Sequence, residues 1–247
     1  MEFKLFYHFG RFILMIRGMF SRPENMRMYW KEFMHQCNDI GVGSLGIVFI
    51  ISLFLGAVTT VQTAYQLVAG FIPKSTIAQI VRDTLILELA PTMVCIVLGG
   101  VVGSKIASEL GNMRISEQID AQEIMGINTK AYLIGPKILA SMLTIPCLVV
   151  IAAFLGIWGG LQAGMLSGII SSEEYMEGLR GSFDGYNVFV MLSKSYTYSF
   201  IISSIPAYYG YNVSGGALEI GRASTKSVVV SCILILFTDY LLAAMLL

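Results

Sequence analysis

Three long stretches of this sequence contain no charged residue. They cover residues 40–73, 138–172 and 195–218. Each is longer than the ~20 residues that cross a ~30 Å hydrocarbon core, and a helix on a soluble protein needs a polar face over such a length. Only 13% of the chain is charged, about half of the roughly 25% found in soluble domains. The sequence therefore predicts a chain that crosses a membrane.

Five segments have the length and apolarity of membrane-spanning helices. They are residues 43–69, 84–108, 134–166, 188–209 and 227–247. We therefore expect an all-α, polytopic membrane protein. Its five-span domain would cover residues 43–247 and follow an N-terminal region of residues 1–42.

The N-terminal region carries amphipathic patterns. Over residues 3–20, apolar residues recur near helical spacing with basic residues between them, which is typical of a helix lying in the membrane interface. Ser21 and Glu24 have capping-box spacing, with Pro23 in the first turn. We expect two interfacial helices here. The alternative is a solvated tail, which the density of aromatic residues disfavours. Basic residues also interrupt the apolar run, so we expect no cleavable signal peptide.

Lysine and arginine in the loops predict the orientation. With a cytoplasmic N-terminus, most basic residues lie inside, and these are Lys4, Arg11, Arg17, Arg22, Arg27, Lys31, Lys105, Arg114, Lys130, Lys137, Arg222 and Lys226. The remainder lie outside or near the outer face, and these are Lys74, Arg82, Arg180 and Lys194. Because the number of spans is odd, the C-terminus is expected on the opposite side of the membrane.

The most polar interior segment lies between the second and third spans. Ser116 can cap a helix whose first turns carry Glu117 and Asp120, and Gly126 can end it. We expect this helix at about residues 116–126, on the cytoplasmic side. The apolar side chains available to a partner would be Ile115, Ile119 and Ile124. A helix resting on lipid headgroups is the alternative, but it would favour basic residues, so we interpret this segment as a docking surface.

Polar residues inside the spans are candidates for a substrate cavity. Glu88, followed by Pro91, is a carboxylate within the second span and by default indicates a functional site. Alternatively, it reaches the interface or pairs with Arg82. Gln62 and Tyr65 in the first span are placed to line a cavity, or only to bond a neighbouring helix.

Other charged residues near the ends of the spans have simpler interpretations. Lys105 and Glu109 have the i,i+4 spacing of a pair on one helix. Asp239 is close enough to the end of the last span to reach the outer headgroups. In the outer loop, Ser171 and Glu174 have capping-box spacing and predict a short helix.

The third span carries a stripe of glycines at four-residue intervals. Its members are Gly156, Gly160, Gly164 and Gly168. Such a stripe allows another backbone to approach closely. Intramolecular packing and a dimer interface are both compatible with it.

Several absences restrict the function. No GxxxxGK[ST] phosphate loop occurs, so this route to ATP binding is missing. The two histidines, His8 and His35, are both N-terminal, and the four cysteines show no paired spacing. The formal net charge is +0, without the excess of basic residues that nucleic-acid binding requires. We expect no enzymatic activity, no metal or cofactor bound by the chain, and no nucleic-acid partner.

Two long motifs resemble those of a known family. Residues 88–127 read ELAPTMVCIVLGGVVGSKIASELGNMRISEQIDAQEIMGI, and residues 215–230 read GGALEIGRASTKSVVV. They are similar to the motifs of the MlaE/YrbE permeases, the membrane subunits of ABC transporters associated with MCE-domain proteins. The resemblance covers most of residues 43–247. One departure is Val101, where the family commonly has arginine; Lys105, four residues later, is a candidate replacement.

The resemblance implies a complete transport system. It implies a homodimer in the bacterial inner membrane, a separate ATPase that binds ATP and Mg, and a periplasmic MCE-domain partner. The implied cargo is phospholipid or a similar lipid moved between the inner and outer membranes, which maintains outer-membrane asymmetry. It also implies an ATPase-coupling helix formed by Glu117, Gln118, Ile119, Asp120, Ala121, Glu123, Met125 and Gly126.

Two other classes of function remain as alternatives. A proton-coupled secondary transporter of a hydrophobic substrate would use Glu88 and Asp239, but such proteins are often built from inverted repeats, and no internal repeat is visible. A membrane scaffold that only anchors other subunits is the second alternative, and the length of the cytoplasmic motif disfavours it.

Overall fold

The computed structural model describes residues 2–19, 26–67 and 73–246. All regular structure in these ranges is helical. The α-helices are α1 (Glu2–Met19), α2 (Met26–Cys37), α3 (Gly43–Gln66), α4 (Ser75–Thr84), α5 (Val94–Ile115), α6 (Gln118–Ile124), α7 (Gly135–Leu166), α8 (Ser172–Arg180), α9 (Tyr186–Tyr211) and α10 (Ala217–Leu246). The π-helical segments are Asn38–Val42, Leu85–Met93 and Lys130–Ile134. The all-α prediction is confirmed.

Within the described residues, five helical runs are long and apolar enough to cross a membrane. They are Met26–Gln66, Ser75–Ile115, Lys130–Leu166, Tyr186–Tyr211 and Ala217–Leu246. The predicted number of spans is confirmed, but all five runs are longer than predicted. A helix provides hydrogen bonds for the backbone N–H and C=O groups both inside and outside the hydrocarbon core. The helices therefore continue past the ends of the apolar segments.

The N-terminal predictions have mixed outcomes. α1 forms as expected and exposes large apolar side chains such as Phe6 and Phe9. α2 forms too, but it continues through the first π-helical segment into α3, so it begins the first long run instead of standing apart. The capping box predicted at Ser21 and Glu24 lies outside the described residues.

The Cα positions form two compact units. The first comprises Met1–Gly43, Leu98–Thr144 and Ser199–Ile235. In this unit α1 is attached by hydrogen bonds between His8 and the Tyr208 hydroxyl and from Arg11 to Asn212, both 2.8 Å long.

The second unit comprises Ser44–Val97, Ile145–Tyr198 and Leu236–Leu247. Here α4 packs against α8, and the buried ring of Tyr175 fills the contact. The predicted capping box is present: Ser171 Oγ accepts from the Glu174 N–H, and the Glu174 carboxylate accepts from the Ser171 N–H.

The glycine stripe of α7 contacts α3, Leu85 and the α8 region in the same chain. A methyl group on Gly156 would lie 3.4 Å from the Ser52 carbonyl oxygen, and one on Gly160 would lie 2.5 Å from Thr60 Oγ1. Gly164 faces Ile170, whereas Gly168 lies beyond the helix with a φ of +65° and open space around it. The first three glycines therefore permit close packing within the chain. Their alternative role in a dimer interface stays a prediction.

Candidate functional site

A cluster of charged side chains lies within the membrane spans of the second unit. Lys194 on α9 has no exposed side-chain surface, and its Nζ lies 2.8 Å from Glu88 Oε1 and 2.8 Å from Asp239 Oδ1. The Tyr198 hydroxyl donates to Asp239 over 2.7 Å. We call Lys194, Glu88, Asp239 and Tyr198 the ion cluster.

Burial explains why these residues occur together. An isolated ammonium group in a low-dielectric interior is strongly disfavoured, and opposite charges with complete hydrogen bonding offset that penalty. One lysine between two carboxylates has a formal excess of negative charge. The side chain of Glu88 remains 43% exposed, so it is the member of the cluster open to a ligand or to a second chain.

Pro91 contributes to the same site through the backbone. Proline has no N–H, so residue 91 cannot make the helical bond to the carbonyl of Leu87, four residues earlier. The chain passes this point as the π-helical segment Leu85–Met93. The Leu87 carbonyl accepts a hydrogen bond from Lys194 Nζ over 3.1 Å. The predicted neighbours Glu88 and Pro91 thus help to hold one cation.

The alternative partner of Glu88 was wrong. Arg82 does not pair with Glu88; it contacts Asp83 and donates to the carbonyls of Leu179 and Gly181. Asp239 is held within the ion cluster, and its predicted reach to the outer headgroups stays a prediction. Sequence reasoning placed Lys194 near the outer face, although a lysine inside an apolar helix was itself a sign of a functional site.

The remaining cavity candidates, Gln62 and Tyr65, lie toward the end of α3. Both side chains are exposed, and neither belongs to the hydrogen-bonded ion cluster. Their predicted role in contacting a substrate stays a prediction.

The Lys105–Glu109 pair was also wrong. Lys105 pairs with Asp39, and Glu109 accepts a hydrogen bond from the buried Lys137 over 2.7 Å. Partners on neighbouring helices replace the partner within the helix, because tertiary packing brings them closer. Whether Lys105 replaces the arginine absent at Val101 stays a prediction.

A second candidate site is the short helix α6, which lies between the second and third runs. Its N-terminal boundary differs from the prediction: Ser116 Oγ donates to the Asn112 carbonyl and does not cap the helix. Glu117 occupies the capping position with a φ of 59°. At the other end Gly126 has a φ of +84°, a conformation that glycine adopts at no steric cost.

The two faces of α6 differ sharply. One face is held by the chain: Ile119 is fully buried, Asp120 pairs with Arg114 at 2.6 Å, and Glu123 accepts hydrogen bonds from two hydroxyls. On the other face Ile124 is 88% exposed, and Met125, which directly follows α6, is 69% exposed. Ile119, predicted to be available to a partner, is therefore not available, because it packs inward. Gln118 and Ala121 are exposed as well.

Five apolar runs, a buried ion cluster and an exposed helical segment between two runs define a polytopic helical membrane protein with a surface outside its spans. The family model described as Permease MlaE matches residues 33–245. The chain belongs to the MlaE permease family.

Individual relatives agree with this assignment. A probable ABC transporter permease protein of Rickettsia bellii is 36% identical over 87% of this chain and 83% of its own length. A protein of the same description from Synechocystis is 30% identical over 88% of this chain and 82% of its own. The intermembrane phospholipid transport system permease protein MlaE of Haemophilus influenzae is 26% identical over 95% of this chain and 90% of its own.

Proposed function

We propose that this chain is the membrane subunit of an ABC transporter that moves phospholipid, or a similar lipid, between the bacterial inner and outer membranes. Such transport would maintain the lipid asymmetry of the outer membrane. The family match and the name of the Haemophilus influenzae relative support the cargo. The Rickettsia and Synechocystis relatives support the transporter class.

The proposal includes the partners that the resemblance implies. Two copies of the chain would assemble with a separate ATPase, which binds ATP and Mg, and with a periplasmic MCE-domain protein. The N-terminus would lie in the cytoplasm and the C-terminus in the periplasm. Moving a lipid from a bilayer into water costs about 0.8 kcal/mol for each CH₂ group that loses its apolar surroundings. A cavity between the first spans of the two copies would therefore have to cover the acyl chains of the lipid. Gln62, Tyr65, Glu88 and Pro91 are the candidate contacts in that cavity.

The exposed face of α6 is the observation that carries the coupling assignment. Ile124 and Met125 are large apolar side chains in a segment outside the five apolar runs, and the rest of the chain leaves both of them exposed. Exposed apolar patches are typical of sites that bind a protein or a membrane. The segment carries Glu117, Asp120 and Glu123 and no basic residue, which disfavours anionic lipid headgroups and supports a protein partner. We therefore assign this face of α6 as the surface that binds the ATPase.

The test is an aspartate substitution on that face. Ile124→Asp or Met125→Asp, expressed with the ATPase, should weaken its binding by about tenfold or more, as expected for a central interface residue. Leu218→Asp is the matched control, because Leu218 is 70% exposed and Met125 is 69% exposed in the same compact unit. Co-purification and ATP-dependent lipid transfer in proteoliposomes are the measurements. Equal effects of the Met125 and Leu218 variants would refute the assignment of α6.

The ion cluster favours one other function, a proton-coupled transporter. Glu88 and Asp239 are carboxylates within the spans, where proton relays are found in other transporters. This alternative requires lipid transport by the purified chain under a pH gradient, with no ATPase present. Transport that requires the ATPase and ATP would exclude it.

A further inference from the structure

The held face of α6 is joined to the end of α9 by a compact set of hydrogen bonds. The Tyr211 hydroxyl donates to Glu123 Oε1 over 2.9 Å, and the Thr129 hydroxyl donates to the same oxygen over 2.9 Å. The two hydroxyl oxygens lie 2.8 Å apart. We call Glu123, Thr129 and Tyr211 the α6–α9 link.

The three members of this link come from three different segments. Glu123 is on α6, Thr129 directly precedes the π-helical segment that leads into α7, and Tyr211 is the last residue of α9. Thr129 and Tyr211 are buried. Hydrogen bonds to an ionised carboxylate are stronger than those between neutral groups. One carboxylate oxygen of α6 is thus connected to the ends of two membrane-spanning runs at once.

The salt bridge of α6 has a shorter reach than the α6–α9 link. Asp120 pairs with Arg114, which belongs to the preceding helix, α5. Glu117 before α6 and Gly126 after it both have a positive φ. The helical backbone is therefore interrupted on both sides of α6. The side chain of Glu123, in contrast, bonds to residues that follow later in the chain.

We propose that the α6–α9 link transmits movement of α6 to α9, and that Glu123, Thr129 and Tyr211 are positioning residues for coupling. This inference rests on the proposed function, in which a separate ATPase moves α6. The Glu123 carboxylate pulls or releases the Tyr211 hydroxyl when α6 shifts. α9 is also the helix that carries Lys194 of the ion cluster. Without the link, ATP hydrolysis continues while lipid movement no longer follows it.

The test uses Tyr211→Phe, which keeps the ring and removes the hydroxyl. The complex with its ATPase is reconstituted in proteoliposomes, and lipid transferred is measured per ATP hydrolysed. We expect this ratio to fall about tenfold, the factor that corresponds to losing one hydrogen bond to a charged group. Tyr209→Phe is the matched control on the same helix, because its contact with Lys226 uses the ring face. The control should keep the wild-type ratio.

Variants of Glu123 separate coupling from packing. Glu123→Gln retains an oxygen that accepts from both hydroxyls and should keep most of the ratio, whereas Glu123→Ala should lose it. If the residues act as one unit, Tyr211→Phe combined with Glu123→Ala should be no worse than Glu123→Ala alone. An additive double variant would overturn the inference.

Other outcomes distinguish this inference from the function on which it rests. If the wild-type complex hydrolyses ATP but transfers no lipid, the proposed function fails. If the wild type transfers lipid and Tyr211→Phe has the same ratio, only the link is refuted. The link is also refuted if Tyr211→Phe abolishes ATPase binding, because Tyr211 would then serve assembly of the complex. It is refuted as well if the variant lowers ATP hydrolysis and lipid transfer in proportion, because Tyr211 would then affect turnover and not coupling.

Discussion

At the scale of single residues, the ion cluster shows how a fully buried cation is held within the spans. Lys194 is fully buried between Glu88 and Asp239, and a backbone carbonyl near Pro91 completes its contacts. A buried pair contributes little beyond an apolar replacement, but the loss of one partner leaves the others uncompensated. The cluster is therefore most sensitive to changes that remove only one charge.

Removal of the Lys194 cation alone tests that sensitivity. Lys194→Met should lower the free energy of unfolding by about 3–5 kcal/mol, because two carboxylates lose their cation in a low-dielectric setting. Lys105→Met is the control, since Lys105 and Asp39 form a more exposed pair, which typically contributes at most about 1 kcal/mol. Unfolding of the detergent-solubilised protein measures both. A Lys194 variant as stable as the control would contradict the electrostatic account, and adding Glu88→Gln should recover part of the loss.

At the scale of helices, backbone proximity determines the contact between α3 and α7. A methyl group on Gly56 would lie 1.7 Å from the carbonyl oxygen of Gly156. No side-chain rotation relieves a clash with backbone, so the two helices would have to separate. The glycine stripe is therefore used within the chain at this point.

Gly56→Ala should consequently destabilise the protein by about 1–3 kcal/mol, the usual range for overpacking. Gly46→Ala on the same helix has open space around it and should be neutral or stabilising by up to about 1 kcal/mol, since alanine favours helix more than glycine does. Thermal unfolding of the two variants makes the comparison. Similar midpoints would show that the α3–α7 approach is looser than described.

The α8 helix provides a pH-dependent element. Hydrogen bonds from the Ser171 N–H and hydroxyl lower the pKa of Glu174 below its ordinary value of 4.5. A lowered pKa means that the stabilising contribution is complete above the ordinary value and is lost as the pH falls through the folded-state pKa. Amide exchange of α8 should therefore accelerate under acid conditions. Glu174→Gln should remove most of that acceleration, and an unchanged pH profile in this variant would contradict the assignment.

At the scale of the whole molecule, the membrane topology stays a prediction from the sequence: five crossings would put α6 and α8 on opposite sides of the membrane. α6 follows the second run and α8 follows the third. The distribution of lysine and arginine favours a cytoplasmic α6. An exposed methionine lies at each helix, Met125 directly after α6 and Met176 on α8, which permits a direct test.

In a cysteine-free background, Met176→Cys should react with a membrane-impermeant maleimide in cells with a permeabilised outer membrane. Met125→Cys should react only after the inner membrane is also opened, because α6 faces the cytoplasm in this topology. Labelling intensity on gels measures both. The reverse pattern would invert the proposed orientation and remove α6 from the reach of a cytoplasmic ATPase.

The sequence by itself determined the all-α membrane fold and its five spans, because apolar length and backbone satisfaction are local requirements. It also located the helix between the second and third runs and the capping box of α8, both of which depend on neighbouring residues. Only the tertiary structure decided which charges meet. Glu88, Lys194 and Asp239 belong to different runs, and Lys105 and Glu109 pair with residues on other segments. Ion pairs depend on distances in space, which the spacing of residues along one helix does not specify. For the same reason, only the packing showed that Ile119 faces inward while Ile124 stays exposed.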